Sequence, residues 1–474
     1  MILQSRSDFA IPVFAAVFSL LSAGRCVGAD WSEQDLAAAA ALRNKAMSGT
    51  RAFEHVSSLV TEVGSRPAGS PGDAAAVRWA MNRLGSLGFS HVHIQDVLVP
   101  HWVRGSAEVS IVTPFPQTLV ATSIGGSVST PDEGKEAQVL NATSLDALTA
   151  LPPASVKGRI VFIDERMQRA RDGSGYGATV RNRSQAPSVA ADLGAVALVI
   201  RSVGTSDDRI AHTGSLNYRA DAPRIPAFTL SNPDADLLAR QLQSGKPVRM
   251  RLKSTARELP PAWSANVIGE IPGHERPQEI VLLAAHLDSW DLGQGAIDDG
   301  AGVAIVTEAA RLISRLDRPP ARTVRVVLFA NEESGTSGGR EYARLAGDEI
   351  GRHVLALEAD FGAGPVWRIE SHVAVESLPA IAVMQSVLAP VDVASGANTA
   401  DPGSDIRPLM NAGVPILDLT LDGTKYFDVH HTVNDTLLKV DGKALDQSVA
   451  AFAVAAYLAA TKQGDFGRVA VEVK

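Results

Sequence analysis

Cysteine is nearly missing from this chain: Cys26 is the one thiol in 474 residues. No intramolecular disulfide can form, and Cys26 falls in a leader-like segment, so the remainder has no thiol for catalysis or metal binding. Aromatic residues are scarce at 5%, and no run of lysine or arginine interrupts a formal net charge of -8. That balance argues against nucleic acid as a partner. Low-complexity tracts and repeats of fixed period are also missing, which argues against solenoid and disordered classes.

Long apolar runs are few. The clearest is Ala10–Gly24, preceded by Arg6 and followed by Val27-Gly28-Ala29, small residues that suit cleavage before Asp30. Residues 1–29 therefore read as an export signal. The run is shorter than the roughly 20 residues that cross a bilayer, and Arg25 before Cys26 speaks against a lipoprotein. No other segment reads as a membrane span. The expectation is a chain exported to the periplasm or the outside, with no membrane attachment after cleavage.

What remains is ordinary globular composition, 45% hydrophobic and 20% charged, in a chain long enough for more than one domain. Residues 30–106 hold two alanine-rich helix patterns, 31–48 and 74–87, around the turn-rich segment Gly64–Gly72, then a strand-like run at His91–Val99. From 107 to 255 short β-branched runs dominate, separated by glycine, proline and serine, with a helix at Pro233–Ser244. This predicts a β-rich insert. From 256 to 474 strands alternate with helices. The strands are Glu279–Ala285, Thr323–Ala330, His353–Ala359 and Val414–Thr420; the helices are Gly302–Ser314, Gly338–Ala346, Pro379–Leu388 and Lys443–Thr461. The pattern predicts an α/β fold, a three-layer αβα sandwich on a mostly parallel central sheet. In such sheets ligands gather at the carboxyl ends of the strands.

Those ends carry acids and histidines. The first strand runs into His286-Leu287-Asp288, and residues two apart on an extended chain point the same way, so Asp288 can stand behind His286. Next comes Asp298-Asp299 among glycines at a helix entry. A helix cap explains one of these acids but not both, because adjacent carboxylates repel. The second strand ends in Asn331-Glu332-Glu333, the third at Asp360, and the loop after the fourth carries His430-His431. A mixed histidine and carboxylate set suits zinc better than calcium or magnesium. Neighbouring residues on an extended segment face opposite ways, so of Glu332 and Glu333 one can bind metal and the other act as a base.

The ordered motifs AHLDSWD at 285–291, GAIDDGAG at 295–302, NEESG at 331–335 and His-His-Thr at 430–432 resemble the zinc-dependent aminopeptidase and glutamate carboxypeptidase family. Val99–Gly105 (VPHWVRG) is similar to its plasma glutamate carboxypeptidase, or carboxypeptidase Q, subgroup. The resemblance implies a peptidase domain in two parts, 30–106 and 256–474, interrupted by a protease-associated-like insert at 107–255. It implies two zinc ions on His286, Asp298, Glu333, Asp360 and His431. Asp298 would bridge, Glu333 would complete one site, and a histidine of the last loop would complete the other. That histidine would be His431, the one directly before Thr432, with His430 beside it. Glu332 would be the general base for metal-activated water. The Asp298–Asp299 peptide would be cis. The expected activity is exopeptidase hydrolysis of dipeptides or short peptides, with a carboxypeptidase, another amide hydrolase or an inactive binding module as alternatives. A homodimer is implied by the resemblance alone.

Overall fold

The computed structural model describes residues 30–469; the export signal expected at 1–29 lies outside them. The chain begins with three helices, α1 (Glu33–Met47), α2 (Ala52–Glu62) and α3 (Pro71–Leu87), and a long strand, β1 (Ser90–Val103). Ser32 caps α1 in a capping box with Asp35, and Ser70 caps α3, satisfying amides that the helix cannot. α2 was not legible as a separate helix beside the turn-rich segment that follows it. Its inner face, Val56, Leu59 and Val60, is buried.

Residues 107–254 form a second eight-stranded sheet. Its strands are β2 (Ala107–Thr113), β3 (Gln117–Leu119), β4 (Ala121–Ser123), β5 (Lys135–Ala142), β6 (Ile160–Ile163), β7 (Ala197–Arg201), β8 (Ala227–Leu230) and β9 (Arg249–Ser254). β5 to β8 run parallel and the outer pairings are antiparallel. Helix α4 (Asn232–Gln243) buries Ala235 and Leu238 against Phe162, Val199 and Phe228. The other face carries short helices at 145–149 and 186–192, so the segment is more helical than its composition predicts. Helices of one or two turns are too short to show a helical period in sequence.

The larger sheet has the order β1-β10-β12-β11-β13-β16-β14-β15. Its further strands are β10 (Arg257–Ile271), β11 (Arg276–His286), β12 (Arg322–Phe329), β13 (His353–Glu358), β14 (Val366–His372), β15 (Ala394–Ser395) and β16 (Ile416–Leu421). The central four, β12-β11-β13-β16, are parallel, while β1, β10 and β14 pair antiparallel. The sheet is mixed, with four parallel strands at its centre, antiparallel pairings on both flanks and a short parallel β14–β15 pair at one edge. β10 carries Pro260 and Pro261, which hide it from a strand reading; they sit where the register with β1 shifts between Val99 and His101. A bulge of this kind tolerates residues without an amide hydrogen.

Helices cover both faces. Val281, Leu283 and Ala285 of β11 join a core with α1, α2, α5 (Ala301–Ile313), α7 (Leu378–Leu388) and α8 (Gly442–Thr461). Leu282 and Ala284 face the other way, toward Tyr342 of α6 (Ser337–Ala346) and Leu409. This alternation is the period of two that an extended strand imposes. One expectation needs correcting: α8 is long and apolar enough to cross a membrane by length and composition. It is a core helix, buried from Leu445 nearly throughout its length.

Candidate metal centre

The four parallel strands deliver their carboxyl ends to one place. His286 is the last residue of β11; Glu332 and Glu333 follow β12, Asp360 follows β13, and His430 and His431 lie in the loop after β16. Asp298 enters from the turn that opens α5, and its peptide bond to Asp299 is cis, as the resemblance implied. His286, Asp298, Glu333, His430 and His431 are all buried; Glu332 and Asp360 are partly exposed.

Asp298 is the hub. Its Oδ1 lies 3.1 Å from His286 Nε2, and its Oδ2 lies 3.1 Å from His431 Nε2. Asp360 Oδ1 stands 3.4 Å from the same His286 nitrogen. On the other side, Glu333 Oε2 is 3.0 Å from His431 Nε2. The six residues expected at the site therefore converge, in two halves sharing one carboxylate. The division differs from the expectation in one respect: Glu333 and His431 stand in the same half, and Asp360 stands with His286. Residue type and order do not encode that partition. His430 is nearer than a bystander, with Nε2 3.7 Å from Asp298 Oδ2 and its ring stacked on His431 at 3.5 Å.

Three overlapping donor sets follow, each with atoms within 4.8 Å of one another: His286, Glu332 and Asp360; His286, Asp298 and Glu333; Asp298, His430 and His431. Glu332 and Glu333 are divided between the two halves, but not by the expected strand alternation: β12 ends at Phe329, and the pair lies in a turn entered through Asn331 at φ 57°. Glu333 Oε1 is buried without a hydrogen-bond partner, and Asp298 Oδ2 makes no well-aligned hydrogen bond although His431 Nε2 stands 3.1 Å away. Burial, together with Asp360 and Asp298, drives the Asp299 carboxyl well above its ordinary range. Burial, then Asp360 and Glu333, does the same to Glu332. Such a crowd of buried acids calls for added positive charge, and the mixed nitrogen and oxygen donors fit a divalent ion of the zinc type.

Around the donors lies a supporting frame that sequence reading only partly found. Asp288 was expected to brace the His286 ring. The ring Nδ1 instead meets the Asp288 carbonyl at 3.1 Å, with its carboxylate at 3.5 Å. That carboxylate accepts the amides of Glu332 at 3.0 Å and Glu333 at 3.4 Å, tying β11 to the loop after β12. Asp435 was missed as a structural group. It accepts the amides of Ala296, Ile297 and Asp298 at 3.0, 2.6 and 3.3 Å. Arg66, in a segment that reads only as a turn, is fully buried and donates to the carbonyls of Leu287, Gln294 and Gly295. Asp405 lies behind the site: its amide donates to Glu358, and burial plus Asp360 lift the Glu358 carboxyl to about 8.

The second sheet contributes as well. The His212 ring donates to the carbonyl of His430 at 2.8 Å, and the Thr213 amide donates to that of His431 at 2.9 Å. Arg183 donates to the Thr213 carbonyl at 3.1 Å and to the Tyr176 hydroxyl at 2.6 Å. No local motif announces these residues, because their role arises from the docking of two sheets.

Known proteins resemble this chain in sequence and in fold. The sequence model of Peptidase family M28 matches residues 266–456, the stretch containing every candidate metal donor described above. Carboxypeptidase Q of Rattus norvegicus is 35% identical over 86% of this chain and 85% of its own length. The crystal structure of a peptidase M28 precursor from Shewanella amazonensis SB2B is 45% identical, covers 93% of this chain and 99% of that one, and superposes with a TM-score of 0.91. The zinc aminopeptidase BSAP of Bacillus subtilis, at 20% identity, 90% and 98% coverage and a TM-score of 0.63, has the same fold. With relatives matched along nearly their whole length and the donors gathered at the strand ends, the chain belongs to peptidase family M28 and is a metallopeptidase.

Proposed function

We propose that the chain is an exported two-zinc exopeptidase that hydrolyses dipeptides or short peptides, with Glu332 as general base. The observation that carries this reading is the Asp298 carboxylate, which offers one oxygen to the half formed by His286 and Asp360 and the other to the half formed by Glu333 and His431. A shared carboxylate between two donor sets is what a pair of ions requires. When bound, the ions supply Lewis acidity that lowers the pKa of a water and polarises the scissile carbonyl.

The chain's own residues do the rest. Glu332 stands beside His286 and Asp360, partly open to solvent, where it accepts a proton from the attacking water. It then delivers that proton to the departing amine, so one water and one amide become an acid and an amine. Asp288 fixes the Glu332 amide and hence the direction of the carboxylate. Asp435 holds the turn that aims Asp298. Residues 107–255, the protease-associated-like insert of our reading, brace the histidine loop through Arg183, His212 and Thr213.

Relatives bearing carboxypeptidase and aminopeptidase names differ in the end they attack, and a dipeptide satisfies both. The purified protein is expected to cleave free dipeptides in a chelator-sensitive, zinc-restored manner and to start at Asp30 when recovered from the exported fraction. Cleavage of acylated amino acids but of no peptide would overturn the substrate class. A mature chain starting at Met1 would overturn export by cleavage.

A further inference from the structure

Two cavities open on either side of the donor cluster, and they differ in chemistry. The one on the Asp360 side, about 310 Å³, is lined by six carboxylates, among them Asp172, Glu358 and Asp418, against one arginine, Arg368. That arginine is already paired with Glu370 at 2.9 Å. The cavity on the Glu333 side is about 170 Å³, walled by Pro67, Pro100, Trp102, Val103 and Trp290. Of its charged neighbours Arg104 grips Asp291, which leaves Glu333 where the cavity meets the donor cluster. At this size it lies below the roughly 300 Å³ at which whole-ligand pockets begin, so it suits one side chain.

The walls of the smaller cavity are fixed in place. Trp102 and Trp290 meet edge to face with centroids 6.5 Å apart, and the Arg104 guanidinium lies 5.0 and 5.5 Å from the two rings. Trp102 donates its indole hydrogen to the Ser127 carbonyl at 2.9 Å, and Gly125 leaves no room for a Cβ beside Trp290. Trp290 also walls the small cleft that reaches Asp298 and His431, and its buried Nε1–H has no protein partner among the described residues. A donor left over at the boundary of an apolar cavity and a catalytic cleft matches a substrate oxygen held beside an apolar side chain.

Charge sets the orientation. A free α-ammonium is drawn to the side crowded with carboxylates, and the residue after the scissile bond is left with the tryptophan-walled side. We propose that this cavity is a specificity subsite for an apolar side chain on the residue that follows the scissile bond. Resting on the exopeptidase reading above, it makes the preferred substrate a peptide with a free amino terminus and an aliphatic or thioether side chain at its second position.

The test is kcat/KM of the zinc-loaded protein on Ala-Gly, Ala-Leu, Ala-Met and Ala-Asp, with Leu-Gly as the positional control. Ala-Leu is expected to exceed Ala-Gly by on the order of tenfold to a hundredfold, the effect of sequestering one aliphatic side chain. Leu-Gly should show no comparable gain. V103W, which fills the cavity, and W102A, which removes a wall, should each pull the Ala-Leu to Ala-Gly ratio toward one. The ratio is internal to each variant, so a partly unfolded preparation does not disturb it. A wild-type ratio near one, a gain carried by Leu-Gly instead, or a ratio untouched by both substitutions overturns the subsite. Failure to cleave any dipeptide overturns the exopeptidase reading itself.

Discussion

Nε2 of His431 lies 3.1 Å from Oδ2 of Asp298, whereas Nε2 of the adjacent His430 lies 3.7 Å from the same oxygen. His431 also meets Glu333 at 3.0 Å, a second carboxylate that His430 lacks. His430 is packed instead among aromatic rings, edge-on to Tyr176, Tyr426 and Phe427. The two histidines of the pair thus have different work.

H431A is expected to lose about one of two bound zinc ions, and H430A to keep both with a weaker second site. D298A should lose both, because it removes the shared carboxylate. Metal analysis after gel filtration distinguishes these results. Full zinc in H431A together with loss in H430A would transfer the ligand role to His430.

E332Q is expected to bind zinc as the wild type does while kcat falls by about 10² to 10⁴. The carboxamide keeps the shape but cannot accept the proton. Steady-state kinetics on a dipeptide, paired with zinc content, checks both halves. Turnover within a few-fold of wild type would remove Glu332 as the base.

D435A leaves three buried amides, those of residues 296 to 298, without their acceptor. An unsatisfied buried donor costs about 1–3 kcal/mol, and the three share one relaxing turn, so a loss of about 2–4 kcal/mol is expected. Thermal unfolding and zinc affinity should fall together. D435N, which retains one carbonyl oxygen, should fall less. An unchanged Tm in D435A would show that the turn does not depend on this carboxylate.

Acid should unfold the protein partly through Glu308. Burial opposes ionisation of this carboxyl, but the Arg311 fork, His55 and the Arg51 amide outweigh it and hold it at about 2. A folded value depressed below the ordinary 4.5 means that its contribution is full above that pH and is lost as pH falls toward 2. E308Q should be less stable at pH 7 by about 2 kcal/mol and should show a flatter stability profile between pH 4.5 and 3. Denaturant titrations of both proteins at those pH values, compared as differences, remove the common effect of metal release. Parallel profiles would contradict the assignment.

Much of this centre was legible in sequence because it sits where strand periodicity stops. Each of β11, β12 and β13 is an apolar run that ends in His286, Glu332-Glu333 or Asp360, and a polar group there has no packing explanation. What stayed hidden depends on the third dimension. The grouping of Asp360 with His286 follows from the adjacency of β11 and β13, which apolar runs do not specify, whereas Glu333 and His431 follow β12 and β16, strands apart in the sheet, and meet only through the loop after β16. Arg66 and Asp435 act on backbone amides and carbonyls far away in sequence, so no spacing betrays them. β10 was masked by its two prolines, and its antiparallel entry, with that of β14 on the other flank, makes the sheet mixed. Arg183 and Thr213 lie in a short helix and a loop around the second sheet and reach the histidine loop only after the two sheets dock.

The central claim is that one carboxylate, Asp298, joins two metal sites. Its most direct test is the metal stoichiometry of the wild-type protein, stripped with chelator, reloaded with zinc, desalted and measured by elemental mass spectrometry against amino-acid analysis. The account predicts two zinc ions per chain, falling to none in D298A. One ion per chain in the wild type, or two retained in D298A, would contradict it.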